Sequence, residues 1–231
     1  MVAGKRVYER VGGSGPLVVL VHGVGVSGRY MLPTAGRLVG RCRVVVPDLP
    51  GFGGSERLGR RVDVARLAGF LAESLEGPAA VVGNSFGCQV AVELAVRRPE
   101  LVRQLVLVGP TADPEARSVR QQALRLVVDA CREPAQLGAL QAFDYVVHVA
   151  KSGLSGFREL VDDPIEDRLA HVAAPAVVVR GERDPIVPHA WAARVAAELP
   201  QGRLVEVRGS GHAVNYAASD ALAEIVLELV A

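Results

Sequence analysis

The sequence predicts an α/β fold, in which a mostly parallel sheet is covered by helices on both faces. Short, continuous runs of Val, Leu and Ala recur along the chain, as at 17–22, 79–83 and 176–180. Such runs are apolar on both sides of the strand, which is typical of parallel strands buried between helices. Helical patterns lie between the runs, and this alternation indicates right-handed crossover units in one sheet.

The individual elements follow from the same patterns. We expect strands at about 5–11, 17–22, 43–46, 79–83, 103–108, 176–180 and 203–207. We expect helices near 28–39, 62–75, 87–98, 189–199 and 217–230. A chain of 231 residues can bury one full core, so the alternation predicts a single α/β unit with an insertion.

The predicted insertion lies where the alternation stops, because after Val108 the next strand begins only near Ala176. This interval is too long for one crossover helix and too apolar for a loop. It predicts two or three short helices at about 111–165, forming a small lid, with 1–110 and 166–231 forming the core. Ligands bind at the carboxyl ends of strands in open α/β sheets, so Phe143 and Tyr145 of the lid are candidate substrate-binding residues.

Composition limits the kinds of partner and the cellular location that we expect. The net charge is +1 and half of the residues are hydrophobic, which gives no reason to expect a nucleic acid or an anionic membrane as partner. We expect a small-molecule substrate and a monomer or homodimer. Residues 1–10 lack the apolar stretch of a secretory signal, and the odd, dispersed cysteines Cys42, Cys88 and Cys131 do not indicate disulfides or a zinc site. We therefore expect a cytoplasmic protein.

The most informative motif is Gly83-Asn84-Ser85-Phe86-Gly87, which lies between an apolar run and a helical pattern. Strand, sharp turn and helix form the context of a nucleophile elbow. A serine at such a turn has strained backbone angles, and the two glycines have no Cβ to collide with the adjoining strand and helix. Gly and Ser are also common in ordinary turns, so the pentapeptide leaves both interpretations open.

Three further segments narrow the interpretation. His22-Gly23-Val24-Gly25 follows the second strand, Gly181-Glu182-Arg183-Asp184 follows the sixth, and Gly209-Ser210-Gly211-His212 follows the seventh. Ser, Asp, His is the chain order of the α/β-hydrolase triad. On these motifs the sequence resembles the α/β-hydrolase superfamily from about Tyr8 to Val230, in particular the serine esterase and C–C hydrolase-like branch with a small helical cap. The Gly-rich turn after the third strand, 48–55, adds to this resemblance.

The resemblance implies an α/β-hydrolase fold, with the lid inserted after the strand that follows the nucleophile helix. It also implies roles for particular residues. A serine hydroxyl needs an adjacent base, and an imidazole titrates near neutral pH. Ser85 would therefore be the nucleophile, His212 the base and Asp184 the acid that orients it. Backbone N–H groups of Phe86 and Val24 would form the oxyanion hole.

Several alternatives stay open at this point. Asp113, after the fifth strand, is a second candidate acid, and Cys88 is a second candidate nucleophile, although a buried packing role fits it better. Gly25 is the fallback oxyanion donor. Gly25 and Tyr30 are also expected to contribute to substrate binding near the pocket mouth. Neither a dinucleotide fingerprint nor a cluster of metal ligands occurs, so we expect no cofactor and no metal.

Ser at the elbow argues against dehalogenases and epoxide hydrolases, which have Asp there. The expected reaction is hydrolysis of a carboxylic ester of a small apolar or aromatic substrate. The alternatives are a thioesterase or a C–C hydrolase of the meta-cleavage-product type, whose elbow the pentapeptide also resembles, although Val26-Ser27 and Ala213 depart from that pattern. A ligand-binding module or a biosynthetic cyclase or lyase on the same scaffold is the alternative of another class.

Overall fold

The computed structural model describes residues 6–57, 59, 61–111, 113–130, 135–152 and 155–231. Seven strands form one sheet in the order β1-β3-β2-β4-β5-β6-β7. All neighbouring strands are parallel except β1, which pairs with β3 in the antiparallel direction. The strands are β1 Glu9–Gly12, β2 Leu17–Val21, β3 Arg43–Pro47, β4 Ala79–Asn84, β5 Val102–Val108, β6 Ala176–Gly181 and β7 Gly202–Val207.

Ten α-helices accompany the sheet within the described part of the chain. Those of the core are α1 Leu32–Leu38, α2 Val64–Ser74, α3 Phe86–Arg97, α8 His189–Glu198, α9 Val214–Ala217 and α10 Ser219–Val230. Those between β5 and β6 are α4 Val119–Ala130, α5 Ala135–Ser152, α6 Ser155–Asp162 and α7 Glu166–Leu169. The predicted alternation of strands and helices, and hence the fold class, is confirmed.

Three boundaries differ from the sequence-based expectation. β1 begins at Glu9 rather than near residue 5, which itself lies outside the described residues. The helix expected at 28–39 is a 3₁₀ turn followed by α1, with Pro33 at the second position of the α-helix, where its missing N–H costs no hydrogen bond. The last predicted helix is divided at Ala218, whose backbone is not helical.

The sheet has a hydrophobic core on each face. Successive residues of β4 alternate between the two: Ala79 and Val81 contribute to one core cluster, Ala80 and Val82 to the other. Helices α2, α3 and α8 cover the first face, whereas α1 and α10 cover the second. Burial on both faces explains why the strands are apolar throughout rather than alternating in polarity.

Within the predicted interval 111–165 the described residues form three α-helices, α4 to α6, where the sequence indicates two or three short ones, and α7 follows the interval. α5 alone spans 18 residues, because no proline interrupts it and Gly138 is its single glycine. Its residues lie against loops that follow β2 and β3, at the carboxyl ends of these strands. Of the predicted lid, 111–165, residues 112, 131–134 and 153–154 lie outside the described part, and Cys131 is among them.

No helix in the described residues is both long enough and apolar enough to cross a lipid bilayer.

Candidate active site

Ser85 occupies a strained turn between β4 and α3. Its φ of 53° and ψ of −120° make it the one non-glycine residue with positive φ in the described chain. A side chain at Gly83 would place Cβ 2.5 Å from the Gly87 carbonyl oxygen, and one at Gly87 would meet the Val21 carbonyl oxygen at 2.5 Å. The turn therefore closes only with glycine at both positions, as the elbow interpretation requires. Strain held in this way is a feature of functional sites.

His212 and Asp184 form a buried pair across two loops. Nδ1 of His212 lies 2.8 Å from Oδ2 of Asp184, although the residues are 28 positions apart. Asp184 lies in the loop after β6 and His212 lies in the loop after β7, and these two strands are parallel neighbours. A carboxylate next to Nδ1 stabilises the imidazole tautomer that is protonated at Nδ1. Nε2 is then the nitrogen available to act as a base.

Val108 and Gly109 connect this pair to the serine. The Ser85 N–H donates to the Val108 carbonyl oxygen at 2.9 Å. A Cβ at Gly109 would lie 2.8 Å from Cε1 and 2.9 Å from Nδ1 of His212, so the imidazole packs directly on the Gly109 backbone. Ser85 and His212 thus contact consecutive residues at the end of β5, Ser85 at Val108 and His212 at Gly109. Nothing in the sequence alone singled out Gly109 for this contact; its φ of +57° is visible only in the structure.

The loop after β6 holds the second oxygen of Asp184. Oδ1 accepts hydrogen bonds from the N–H groups of Ile186 and Val187, at 2.7 Å and 3.0 Å. The buried guanidinium of Arg180 ties the same loop down by donating to the Val187 carbonyl oxygen at 2.7 Å. Because Oδ1 is occupied, the carboxylate presents Oδ2 to the imidazole in one orientation. These supporting groups could not be predicted from the sequence, since backbone donors leave no trace in residue type.

The buried side chain of His22 orders the loop after β2 through two hydrogen bonds. The Leu49 N–H donates to Nε2 at 3.0 Å, so Nδ1 carries the proton and donates to the Gly23 carbonyl oxygen at 2.8 Å. Burial lowers the pKa of His22, and the Gly23 carbonyl opposes this only partly. A neutral imidazole with fixed tautomer therefore links this loop to the turn after β3.

That turn is organised by Asp48. Its Oδ1 accepts from the Gly28 N–H and from Arg10, both at 2.8 Å, and its Oδ2 accepts from the Gly54 N–H at 2.7 Å. Burial disfavours the charged carboxylate, but the Gly54 amide and Arg10 outweigh it and lower the pKa of Asp48. Asp48 thus has a structural role in this Gly-rich turn.

The two amides predicted to form an oxyanion hole belong to the residue after the serine and to the loop after β2. Phe86 is the first residue of α3, where N–H groups lack partners within the helix and the helix dipole favours negative charge. Gly23, next to Val24, approaches the serine closely, since a Cβ there would lie 3.1 Å from Cβ of Ser85. Among the described residues, no backbone acceptor takes a hydrogen bond from the N–H of Phe86, Val24 or Gly25.

The predicted substrate-binding residues occupy three different environments. The ring of Tyr145 lies on Gly25, where a Cβ would come within 2.1 Å of Cε1, and Gly25 itself has a φ of +76°. Phe143 is 58% exposed, with the Arg29 guanidinium 5.1 Å above its ring. Tyr30 is buried in the core and stacks on Tyr216. Tyr145 therefore contacts Gly25 in the loop after β2, whereas Phe143 faces outward and Tyr30 is a packing residue.

The rival residues are engaged elsewhere. Asp113 accepts from the Glu115 N–H at 3.0 Å and from Arg125 at 3.2 Å, so it caps the 3₁₀ turn after β5. Cys88 is buried, its thiol donates to the Gly83 carbonyl oxygen at 3.2 Å, and burial raises its pKa. A thiol held protonated is a poor nucleophile. The structure therefore favours Asp184 over Asp113, and Ser85 over Cys88.

Two lid carboxylates that the sequence analysis did not select contact the loops of the site. Asp129 of α4 accepts from the His212 N–H at 3.2 Å. Asp144 of α5 accepts from the N–H and hydroxyl groups of Ser27, at 2.9 Å and 2.7 Å. Both carboxylates are buried. An acidic residue within an otherwise apolar helical segment was the available signal, because such a residue is seldom buried without a partner.

Comparison with known proteins identifies the family of the chain. Residues 18–225 match the alpha/beta hydrolase family. The chain is 29% identical over 264 residues to polyketide synthase ThaQ of Burkholderia thailandensis, a match that covers 97% of this chain but 12% of the relative. It is 31% identical over 226 residues to a pimeloyl-acyl-carrier-protein methyl ester esterase of Chromobacterium violaceum, which covers 87% of this chain and 89% of the relative.

Solved structures show the same fold. A thermophilic esterase from Thermogutta terrifontis superposes with a TM-score of 0.84 at 22% identity, covering 97% of this chain and 92% of that one. An enol-lactonase from Burkholderia xenovorans superposes with a TM-score of 0.82 at 22% identity, covering 99% and 98%. Sheet order, elbow and family match point the same way, and the chain belongs to the α/β hydrolase family.

Proposed function

We propose that this protein is a serine esterase that hydrolyses a carboxylic ester of a small apolar or aromatic acyl group. One observation carries the proposal: the strained Ser85 and the Asp184-supported His212 contact consecutive residues at the end of β5, the serine through its N–H to Val108 and the imidazole through its packing on Gly109. This placement supports nucleophilic catalysis, in which a weak nucleophile is activated by a base that is itself oriented by a third group. The ester substrate named for the Chromobacterium violaceum relative supports the choice of leaving group.

In this proposal Ser85 Oγ attacks the ester carbonyl carbon, and its proton passes to Nε2 of His212. The negative charge that develops on the carbonyl oxygen accepts hydrogen bonds from the Phe86 and Val24 N–H groups, each worth on the order of 3 kcal/mol in the transition state. The intermediate then collapses, the C–O bond breaks, and the imidazolium proton passes to the departing alkoxide to give the alcohol.

The second half of the cycle regenerates the enzyme. Water attacks the acyl-serine carbonyl carbon while His212 accepts its proton, and the serine leaves with that proton as the carboxylic acid is released. Asp184 keeps the imidazole oriented and stabilises the imidazolium that forms twice per turnover. If His212 must be neutral to start each half, kcat/KM rises with pH through a single limb in the imidazole range, roughly pH 6 to 7.5.

The test uses a fluorophosphonate probe together with ester hydrolysis. We expect the parent protein to be labelled and to hydrolyse p-nitrophenyl esters, and Ser85→Ala to lose both while unfolding in urea as the parent does. Ser74→Ala is the control, because its hydroxyl donates to the Phe70 carbonyl oxygen in α2, on the first face of the sheet. Labelling of Ser85→Ala, or hydrolysis within tenfold of the parent, would exclude the assignment of the nucleophile.

The same assay separates the alternatives. Parallel measurements with acyl-CoA thioesters and one vinylogous diketone compare kcat/KM between leaving groups of different chemistry. A higher value for a thioester or for the diketone would reassign the substrate to a thioesterase or a C–C hydrolase. A parent protein that neither reacts with the probe nor turns over any of these compounds would favour a binding module on the hydrolase scaffold.

A further inference from the structure

Asp144 lies at the contact between helix α5 and the loop that contains Val24. Asp144 is 4% exposed, whereas Phe143 and Val146, which are close to it in the same helix, are exposed to solvent. A carboxylate buried to this extent requires compensation. All of its observed partners are in the loop after β2: Ser27 through N–H and hydroxyl, and Arg29 through its guanidinium.

These bonds fix one end of a short segment. Ser27 N–H and Gly28 N–H are consecutive amides, and each is held by a different buried carboxylate, Asp144 from α5 and Asp48 from the core. At the other end, His22 holds the Gly23 carbonyl. Val24 lies between these anchors, and a chain of so few residues has little freedom once both ends are fixed.

Two other residues of α5 lie close to the segment that contains Val24 and Gly25. The Tyr145 ring lies on Gly25, and His148, one turn later, lies with Val24 against Gly156: a Cβ there would meet both Nε2 of His148 and Cγ2 of Val24 at 2.9 Å. The segment between the anchors is therefore enclosed by one turn of α5. Asp144 provides the hydrogen bonds of this contact, and its ion pair with Arg29 offsets its charge.

Resting on the esterase function proposed above, we infer that Asp144 is a positioning residue, which holds the Val24 N–H in place for the oxyanion through Ser27. The lid helix is then part of the catalytic geometry as well as a cover over the site. Catalysis by such donors depends on their being in place before charge develops. Loss of Asp144 should therefore affect the chemical step more than the binding of the ground-state ester.

The experiment compares Asp144→Ala and Asp144→Asn with Asp163→Asn in the full-length protein. Asp163 is the matched control, because its half-buried carboxylate also lies at a contact of this helical segment with the core, where it binds Arg168 and accepts from Gln89 Nε2 at 3.0 Å. Its partners belong to α3 and α7, not to the loop after β2. Ester hydrolysis gives kcat and KM, and hydrogen exchange reports on the amides of 22–31.

For Asp144→Ala we expect kcat to fall about 10- to 100-fold with KM within threefold of the parent, since removing an oxyanion donor outright costs about 10²- to 10³-fold. We expect faster exchange at 22–31 in the same variant. Asp144→Asn keeps an oxygen acceptor for Ser27 and should recover most of the lost kcat. Asp163→Asn should leave kcat within threefold of the parent and exchange at 22–31 unchanged.

A kcat within threefold of the parent in Asp144→Ala would overturn the inference. So would unaltered exchange at 22–31, or an equal loss of kcat in Asp163→Asn. If the parent itself hydrolyses no ester and is not labelled by the fluorophosphonate, the proposed function fails. In that case the exchange comparison alone decides whether Asp144 holds this loop.

Discussion

Oδ2 of Asp184 lies 2.8 Å from Nδ1 of His212, while Oδ1 of the same carboxylate accepts two backbone N–H groups from its own loop. The carboxylate therefore cannot rotate away from the imidazole without losing both backbone hydrogen bonds. The imidazole in turn packs on Gly109. The position of the base is thus set from two directions, by an acceptor at Nδ1 and by a backbone surface against the ring.

Asp184→Asn is the first prediction. The amide removes the charge that stabilises the imidazolium and can present N–H to Nδ1, which favours the wrong tautomer, so kcat should fall by roughly 10⁴-fold as in the comparable serine-protease substitution. Asp113→Asn is the control, because asparagine caps a turn about as well as aspartate and kcat should stay within about threefold. Steady-state kinetics on one p-nitrophenyl ester measure kcat for both variants. A larger loss of kcat in Asp113→Asn than in Asp184→Asn would identify Asp113 as the acid.

The second prediction concerns Gly109. In Gly109→Ala, the new Cβ would lie 2.8 Å from the His212 ring, so the imidazole must shift and kcat should drop at least tenfold. Gly209→Ala is a matched control, because Gly209 also has positive φ, +70° against +57°, but no atom lies within 4 Å of its added Cβ. Both variants should lose on the order of 1 kcal/mol in urea unfolding from backbone strain. Equal kcat values in the two would show that the ring does not depend on Gly109.

The third prediction separates the two aromatic residues of α5. Tyr145 lies on Gly25 and stacks on Phe157 at 5.8 Å between ring centroids, whereas Phe143 faces outward. We expect Tyr145→Ala to raise KM for octanoate esters more than for acetate esters. A loss of about 50 Å² of apolar contact corresponds to about 1.3 kcal/mol, or roughly tenfold. Phe143→Ala should change neither KM by more than twofold. Equal effects on long and short acyl groups would indicate that Tyr145 only packs the helix.

The fourth prediction is a pH dependence of stability. His148 is buried between Phe52, on which it stacks at 4.3 Å, and Phe157; burial lowers its pKa to about 4, against the opposing effect of the Gly51 carbonyl. The unfolded chain takes up a proton near pH 6.5 and the folded chain only near 4. The contribution of His148 is therefore complete above about pH 6.5 and is lost as the pH falls toward 4, by at most about 3 kcal/mol.

Urea unfolding between pH 4.5 and 8 measures this dependence. His148→Phe keeps an aromatic ring and cannot titrate, so its free energy of unfolding should fall less than that of the parent below pH 6.5. The parent slope also contains His22, whose pKa is lowered by burial as well, and the difference between parent and variant removes this contribution. His171→Gln, at an exposed position, should follow the parent curve. Parallel curves for parent and His148→Phe would contradict the prediction.

The sequence was enough to predict the layers of the fold and the loops that bear the functional groups. Continuous apolar runs predict buried parallel strands because both faces are covered, and β4 and β6 are found within one residue of their predicted positions. The elbow was readable because two glycines flank a serine between an apolar run and a helical pattern, whereas the close approach of Gly87 to the Val21 carbonyl oxygen is visible only in the structure. Loops that follow parallel strands lie at the carboxyl ends of the strands, and Ser85, Asp184 and His212 were selected together because their chain order matches the triad of the α/β-hydrolase superfamily that the sequence resembles.

Which side chains meet was decided by tertiary structure. Asp184 and Asp113 both follow strands, and only the packing of the loops shows that the first contacts His212 while the second caps a turn. In α5, neighbouring residues are rotated by about 100° around the axis, so the docking of the helix determines that Asp144 is buried on Ser27 and Tyr145 on Gly25, while Phe143 is exposed. Contacts between residues 117 positions apart, such as Asp144 and Ser27, depend on how the helix docks on the core, which a pattern of local periodicity does not specify.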